Sequence, residues 1–295
     1  MAEILTNLIV ALSQGCIYGL VGFSLMAIYH CVNMVNFAQG DLVMLGGFLG
    51  YLTITSLQQP VWVSCIAILI VMPFVGVIFW LLVKRLIRLN AKPVALMLVT
   101  MGGGMILVSF IGIPTSWDWL PVLPFVRGVW NIWGIVIPPQ YMIIIITTGI
   151  FMIAFWFFIT KTHYGWAFRA VIIDKQVATL AGIRISYMTA IAFSMASFAG
   201  GMGGLLIAPT ITPSADMGMP YMIKGFIAAM VGGIDNSYGP LLGGIFLGVI
   251  EIIIVGYTAP FYGELATFCM LLGFLLFWPH GILGGRSGVR ISRYG

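Results

Sequence analysis

The chain has 295 residues, of which 61% are hydrophobic and 7% charged. Water-soluble domains run at about 45–50% apolar and about 25% charged, and no soluble fold of this length hides so much apolar surface, because much of its area stays exposed. The net charge of +5 would suit nucleic acid, but eleven of the thirteen basic residues fall in three short polar segments. These are Lys84, Arg85, Arg88 and Lys92; Lys161, Arg169, Lys175 and Arg184; and Arg286, Arg290 and Arg293. That is the positive-inside pattern of a membrane protein and not a groove for phosphates, so the expected surroundings are lipid, with no nucleic-acid partner.

The apolar runs reach the roughly 18 residues needed to span a bilayer, and they lack the alternation of barrel strands. In chain order, membrane segments are expected at 4–30, 34–57, 60–83, 93–113, 138–160, 186–210, 221–233, 239–258 and 263–282. The fold class is therefore all-α: a polytopic transmembrane helix bundle of eight to nine segments with one or more broken helices, in one permease domain over 1–295. The start, Met1-Ala2-Glu3-Ile4, lacks the basic run of a cleaved signal, so the first segment is expected to persist. The seventh segment is too short to cross about 30 Å at about 1.5 Å per residue, and reads as a half-helix or as part of a broken one. With the basic clusters in the cytoplasm, the N-terminus lies outside and the C-terminus inside, a parity that nine passages satisfy and eight do not.

The second segment is polar where a membrane helix is not. Its run Val35-Asn36-Phe37-Ala38-Gln39-Gly40-Asp41 either sits at the cytoplasmic interface or opens a helix at depth and lines a wet pathway. Asn36, Gln39 and Asp41 are the first candidates for that pathway. Glycines four apart, at Gly15/Gly19, Gly46/Gly50, Gly200/Gly204 and Gly244/Gly248, let helix backbones approach closely. A short echo links Asn36 to Gly40 and Gly46-Gly47 with Asn236 to Gly239 and Gly243-Gly244. The loop 114–137 holds Trp117, Trp119, Trp130 and Trp133, which either anchor it at the external interface or present a surface to an external partner.

The second basic segment, about 161–185, has helical composition and no proline from Gly165 to Ala181, with Gly182 as C-cap. A soluble partner can push on such an element, or it can lie on the membrane as a connector. Lys224 either tips a short helix with polarity or attracts an anionic group. Glu251 and Glu264 either touch solute or are solvated helix ends. Cys16, Cys31, Cys65 and Cys269 lie in or beside apolar segments without metal spacing, and His30, His163 and His280 are far apart in sequence. No phosphate-binding loop or hydrolase motif is present, so the chain is read as neither an enzyme nor a holder of a cofactor or metal.

Taken together, Val35–Gly47, Ile132–Pro138 and the block Thr162–Glu251 resemble the H-type permease subunit of branched-chain amino acid ABC importers. Relatives of that subunit also serve urea, amides and other small polar solutes. The block includes Ala199-Gly200-Gly201-Met202-Gly203-Gly204, Lys224-Gly225-Phe226 and Val231-Gly232-Gly233-Ile234. The family commonly has His then Glu around Gly40, where this chain has Gln39 and Asp41. The resemblance implies a multi-pass subunit of a bacterial inner membrane that forms half of a translocation pathway. It also implies a second homologous permease, two ATP-binding subunits and an external solute-binding protein. Arg169, Asp174, Ala178 and Gly182 fall on the family's ATPase-coupling pattern, and Lys224 and Glu251 join the candidate pathway. An ATPase-independent channel or secondary transporter is the alternative.

Overall fold

A computed structural model describes residues 2–278, except 127, 133, 134, 235 and 237, together with 281–283. The Trp133-Gly134 pair, His280 and the arginines 286, 290 and 293 therefore lie outside the described residues. Helix α1 (Ala2–Val32) is followed by α2 (Gln39–Gly50), which runs straight into a π-helical stretch, Tyr51–Ser56. Next come α3 (Val61–Arg88), α4 (Pro93–Gly112), α5 (Pro139–Lys161), α6 (His163–Ile173) and α7 (Lys175–Leu180). The chain ends in α8 (Ile185–Ile211), α9 (Gly218–Gly232), α10 (Gly239–Tyr257) and α11 (Pro260–Phe277). A small antiparallel hairpin, β1 (Trp130–Ile132) and β2 (Ile135–Ile137), is the exception to helix among the described residues. Proline in the first turn of α4, α5, α10 and α11 suits a position whose N–H has no helical partner.

Among the described residues, six helices are long and apolar enough to cross a membrane: α1, α3, α4, α5, α8 and α10. The other three expected segments hold shorter helices: α2 with its π extension, α9 and the apolar α11. Each of the nine expected segments thus contains a helix, and six of those helices have the length and apolarity to cross. Of these six, α1 and α8 are the most buried. The glycines explain how. A β-carbon on Gly204 of α8 would strike the carbonyl of Val43 on α2, and one on Gly244 of α10 would strike the backbone of Gly19 on α1. With no side chain between them, the backbones touch and dispersion replaces the hydrophobic drive that lipid does not supply.

These contacts also fix direction. Helix α3 meets α8 through Met72 on Gly201 and Gly76 on Phe193, so the two run antiparallel. The end of α3, with 84–92, therefore lies at the same end of the bundle as 161–185. The loop 114–137 reaches the opposite end, where Leu120 N–H donates to the Pro213 carbonyl beyond α8 (2.7 Å). At the first end, Ile282 and Leu283 donate their N–H groups to the carbonyls of Val231 and Gly232 (2.8 and 3.1 Å), satisfying the last turn of α9.

Candidate functional site

Helix α2 does not begin at the end of the bundle. Its first residue, Gln39, donates Nε2–H to the carbonyl of Ala196 (3.0 Å), roughly 16 Å along α8 at about 1.5 Å per residue. The chain therefore leaves α1 at Val32, turns through Asn33 in the left-handed region (φ 58°), and climbs back into the bundle before helix resumes. Asn36 closes the turn: its Oδ1 accepts from Ala38 N–H (3.2 Å) and its Nδ2 reaches Gln39 Oε1 (3.4 Å). Thr100 Oγ of α4 accepts from Phe37 N–H (3.2 Å). Asn36 and Gln39 are fully buried, so their amides satisfy a helix start in a place without water.

Asp41 stands in the same first turn of α2 and is only part-buried. Its carboxylate occupies the space that side chains would fill on Gly104 of α4 and Gly218 of α9. Gly218 is the first residue of α9, and Gly40 packs on its carbonyl. Two helix starts, α2 and α9, thus meet deep in the bundle beside one carboxylate. The chain reaches the second of them from Thr212 (φ 51°) through Pro213, which packs against Gly47, and a turn in which Met217 N–H donates to the Ser214 carbonyl (3.3 Å). Helix α9, at 15 residues, is the half-helix expected from the sequence, with its start three residues earlier than the expected 221.

The Asn echo has a structural counterpart. Asn236 Oδ1 accepts from Tyr238 N–H (3.0 Å), and Gly239 N–H donates to the Asn236 carbonyl (2.8 Å). Asn36 makes the same pair of bonds to Ala38 and Gln39 (3.2 Å each). Each asparagine opens a glycine-packed helix, α2 against α8 and α10 against α1.

Lys224 and Glu251, read separately in the sequence, are brought together. Lys224 Nζ of α9 lies 2.6 Å from Glu251 Oε1 of α10 and donates to the Tyr18 hydroxyl of α1 (3.2 Å). The two side chains are 17% and 12% exposed, and Glu251 Oε2 is buried with no partner among the described residues. Beside them a pocket of about 190 Å³ opens between α9 and α11, lined by Lys224, Glu264, Thr267, Met219, Ile223 and Phe268 among others. This group is not in the Asn36–Asp41 cluster; α9 joins the two, with Gly218 at one and Lys224 at the other.

The segment 161–185 is two helices and not the single helix expected from Gly165 to Ala181. Asp174 is the break: it leaves helical geometry (φ −155°), and its Oδ1 caps α7 by accepting from Gln176 and Val177 N–H (2.7 and 3.1 Å). An aspartate before a short apolar run is a helix-start signal, and it outweighs the absence of proline. Gly182 is the cap residue as expected, with φ 80° and with Gly182 and Ile183 N–H closing on the Thr179 and Ala178 carbonyls. Ala178, however, faces inward. It is buried with Val171 and Met188, so it holds α7 onto α8 and does not offer a contact surface. The outward surface carries Arg169, Asp174 and Gly182 together with the apolar Ile173, Val177 and Leu180, the last 88% exposed. Reading the sequence alone missed those three; their spacing from Asp174 was the available signal. On the inner side, Phe168 packs in one cluster with Cys31 at the end of α1.

Comparison with known proteins agrees with this architecture. Residues 7–278 match the family described as "Branched-chain amino acid transport system / permease component". The chain is similar to the high-affinity branched-chain amino acid transport system permease protein LivH of Salmonella typhimurium, 26% identical over 287 residues and 92% of each chain. It is 28% identical to the corresponding protein BraD of Pseudomonas aeruginosa over 305 residues, 95% of each chain. It is 26% identical to the probable permease protein LivH of Methanocaldococcus jannaschii over 306 residues, 96% of this chain and 90% of that one. No solved structure gives a significant match. A multi-pass helix bundle with interrupted helices, matched over residues 7–278 by the permease family, belongs to the permease family of branched-chain amino acid transport systems.

Proposed function

We propose that this chain is the membrane subunit of an ABC importer and supplies half of a pathway for a branched-chain amino acid or a related small polar solute. The match to the permease family over residues 7–278 carries this reading. The chain would work as a single transmembrane domain beside a second homologous permease, two ATP-binding subunits and an external solute-binding protein. Its N-terminus and the loop 114–137 would face outward in a bacterial inner membrane. The segments 84–92 and 161–185 and the C-terminus would face the cytoplasm, in keeping with the charge bias.

The chemistry of the parts supports these roles. Asn36 and Gln39 fix the helix start, and Asp41 presents a carboxylate beside the opening turn of α9, where unbonded N–H groups also lie. Lys224 and Glu251 form the second polar station. Arg169, Asp174 and Gly182 lie on the face of α6 and α7 that docks on the ATPase, with Leu180 as the apolar contact. Ala178 fixes α7 behind that face. Because Phe168 packs with Cys31, and α1 leads directly into Asn33–Asp41, a push on α6 is delivered to the start of α2.

Reconstituting the chain with its permease partner, the ATPase and the loaded binding protein in vesicles tests the proposal. Uptake of L-leucine or a related solute should require all of them and ATP. Uptake by the permease alone, indifferent to ATP, would replace the importer with a channel or secondary transporter.

A further inference from the structure

The groove between α9 and α11 carries a charge that the bundle does not use. Glu264 is exposed on a membrane helix and makes no hydrogen bond or ion pair among the described residues. It stands on α11 four residues after Pro260, where its neighbour Gly263 packs on Val255 and Glu251 of α10. It lines one pocket with Lys224, and Lys224 reaches Tyr18, about 20 Å along the apolar stretch of α1 from Leu5 at about 1.5 Å per residue. Lipid does not solvate a carboxylate, so charges on membrane helices face water, a cavity or a partner.

The lining sorts by chemistry. Lys224 is already paired with Glu251, which leaves Glu264 as the uncompensated charge and the groove one unit negative. Lys224 lines the groove while it bonds Glu251 and Tyr18, and its side chain stays 17% exposed. Met219, Ile223 and Phe268 form apolar walls, and Thr267 offers a hydroxyl oxygen that already donates its proton to the Gly263 carbonyl (2.9 Å). A cation acceptor, an anion acceptor and an apolar wall, all on one pocket, suit one molecule with the complementary set.

We propose that the α9–α11 groove is a solute subsite that holds a small zwitterion with an apolar side chain. Glu264 and the Thr267 hydroxyl oxygen take its ammonium, Lys224 its carboxylate, and Met219, Ile223 and Phe268 its side chain. This rests on the importer reading and assigns the face of the chain that looks into the pathway. Lys224 then shares its charge between Glu251 and the solute, so the solute enters and leaves without stranding a buried ion.

The test uses the assembled transporter in vesicles with L-leucine as probe. Wild-type uptake that depends on ATP is the control, and its absence would count against the importer reading and not against the groove. Glu264→Gln should lower the rate at saturating loaded binding protein by at least about tenfold, the worth of one hydrogen bond to a charged group, while Glu264→Asp stays near wild type. Independently, Phe268→Cys in a chain whose native cysteines are replaced by serine should react with a charged, membrane-impermeant thiol reagent. L-leucine should slow that reaction, and 4-methylpentanoate, which lacks the ammonium, should not. Wild-type uptake by Glu264→Gln overturns the subsite. So does a Phe268→Cys thiol that the charged reagent cannot reach but that cross-links to the second permease, which would make the groove a subunit contact.

Discussion

Two outward faces of this bundle are built from similar helices and differ in one respect. The face made by α3 and α4 exposes Ile70, Phe74, Ile106 and Phe110, the last two at 71% and 73%, and neither helix carries a charge between Val61 and Val83 or between Pro93 and Gly112. The face made by α9 and α11 also exposes large apolar residues, Met219, Phe268 and Leu272, but sets Lys224 and Glu264 among them, with Glu251 of α10 paired to Lys224. In a membrane protein exposure says nothing about water. Only polarity does, because a charge held in lipid costs roughly 2.5–3.5 kcal/mol or more at a helix centre. The first face is dressed for acyl chains, and the second for a wet or protein-lined neighbour.

The sharpest way to break the contrast is at the ion pair. Lys224→Met leaves Glu251 buried without its partner and should cost about 3–5 kcal/mol, read as a large drop in thermal stability in detergent. Adding Glu251→Gln should restore most of that stability without restoring uptake. If the double variant transports normally, the pair is structural and the second face has no part in the pathway.

Arginine scanning compares the faces directly. Ile106→Arg should lower the membrane-inserted yield, with a penalty of roughly 3 kcal/mol near the helix centre. Phe268→Arg should insert at close to wild-type yield and abolish uptake. Equal insertion defects at both sites would mean that lipid covers both.

The cytoplasmic element supplies a third kind of surface, apolar and exposed but outside the membrane. Ala178→Arg forces a charge into the Val171–Met188 contact and should destabilise the element by about 1–3 kcal/mol, seen as faster proteolysis within 161–185. Leu180→Arg, on the exposed side, should leave proteolysis unchanged and uncouple ATP hydrolysis from uptake. The reverse pattern would put the ATPase contact on the inner side.

The smallest effect concerns pH. Burial lowers the Lys175 pKa below its ordinary 10.5, partly offset by Cys31 beside it. The unfolded element therefore holds that proton more tightly than the folded one, so stability rises as pH climbs through the window below 10.5. Proteolysis of 161–185, corrected for the protease's own pH profile, should slow modestly over that window. Lys175→Met should remove the dependence.

Much of this was open to inspection in the residues themselves. Apolar length identifies the spans, because about 30 Å of hydrocarbon demands it, and the glycines four apart mark where α1 meets α10 and where α2 meets α8. The Asn36 and Asn236 echo foretells two helix starts of one design, since an asparagine side chain satisfies the same backbone N–H wherever the local geometry recurs. Gly182 announces its own cap through the left-handed φ that glycine adopts freely.

What the sequence left undecided is what distance along the chain conceals. Lys224 and Glu251 stand on different helices, and only the close packing of α9 on α10 brings their charges to 2.6 Å. Ala178 lies among small residues on a helix whose buried face depends on where α8 begins, so its inward turn could not be read from composition. The depth of the α2 start follows from Gly200 and Gly204 admitting it against the middle of α8. Local propensity determines where helices form; the approach of one backbone to another determines which charges meet and which faces are left for solute, lipid and partner.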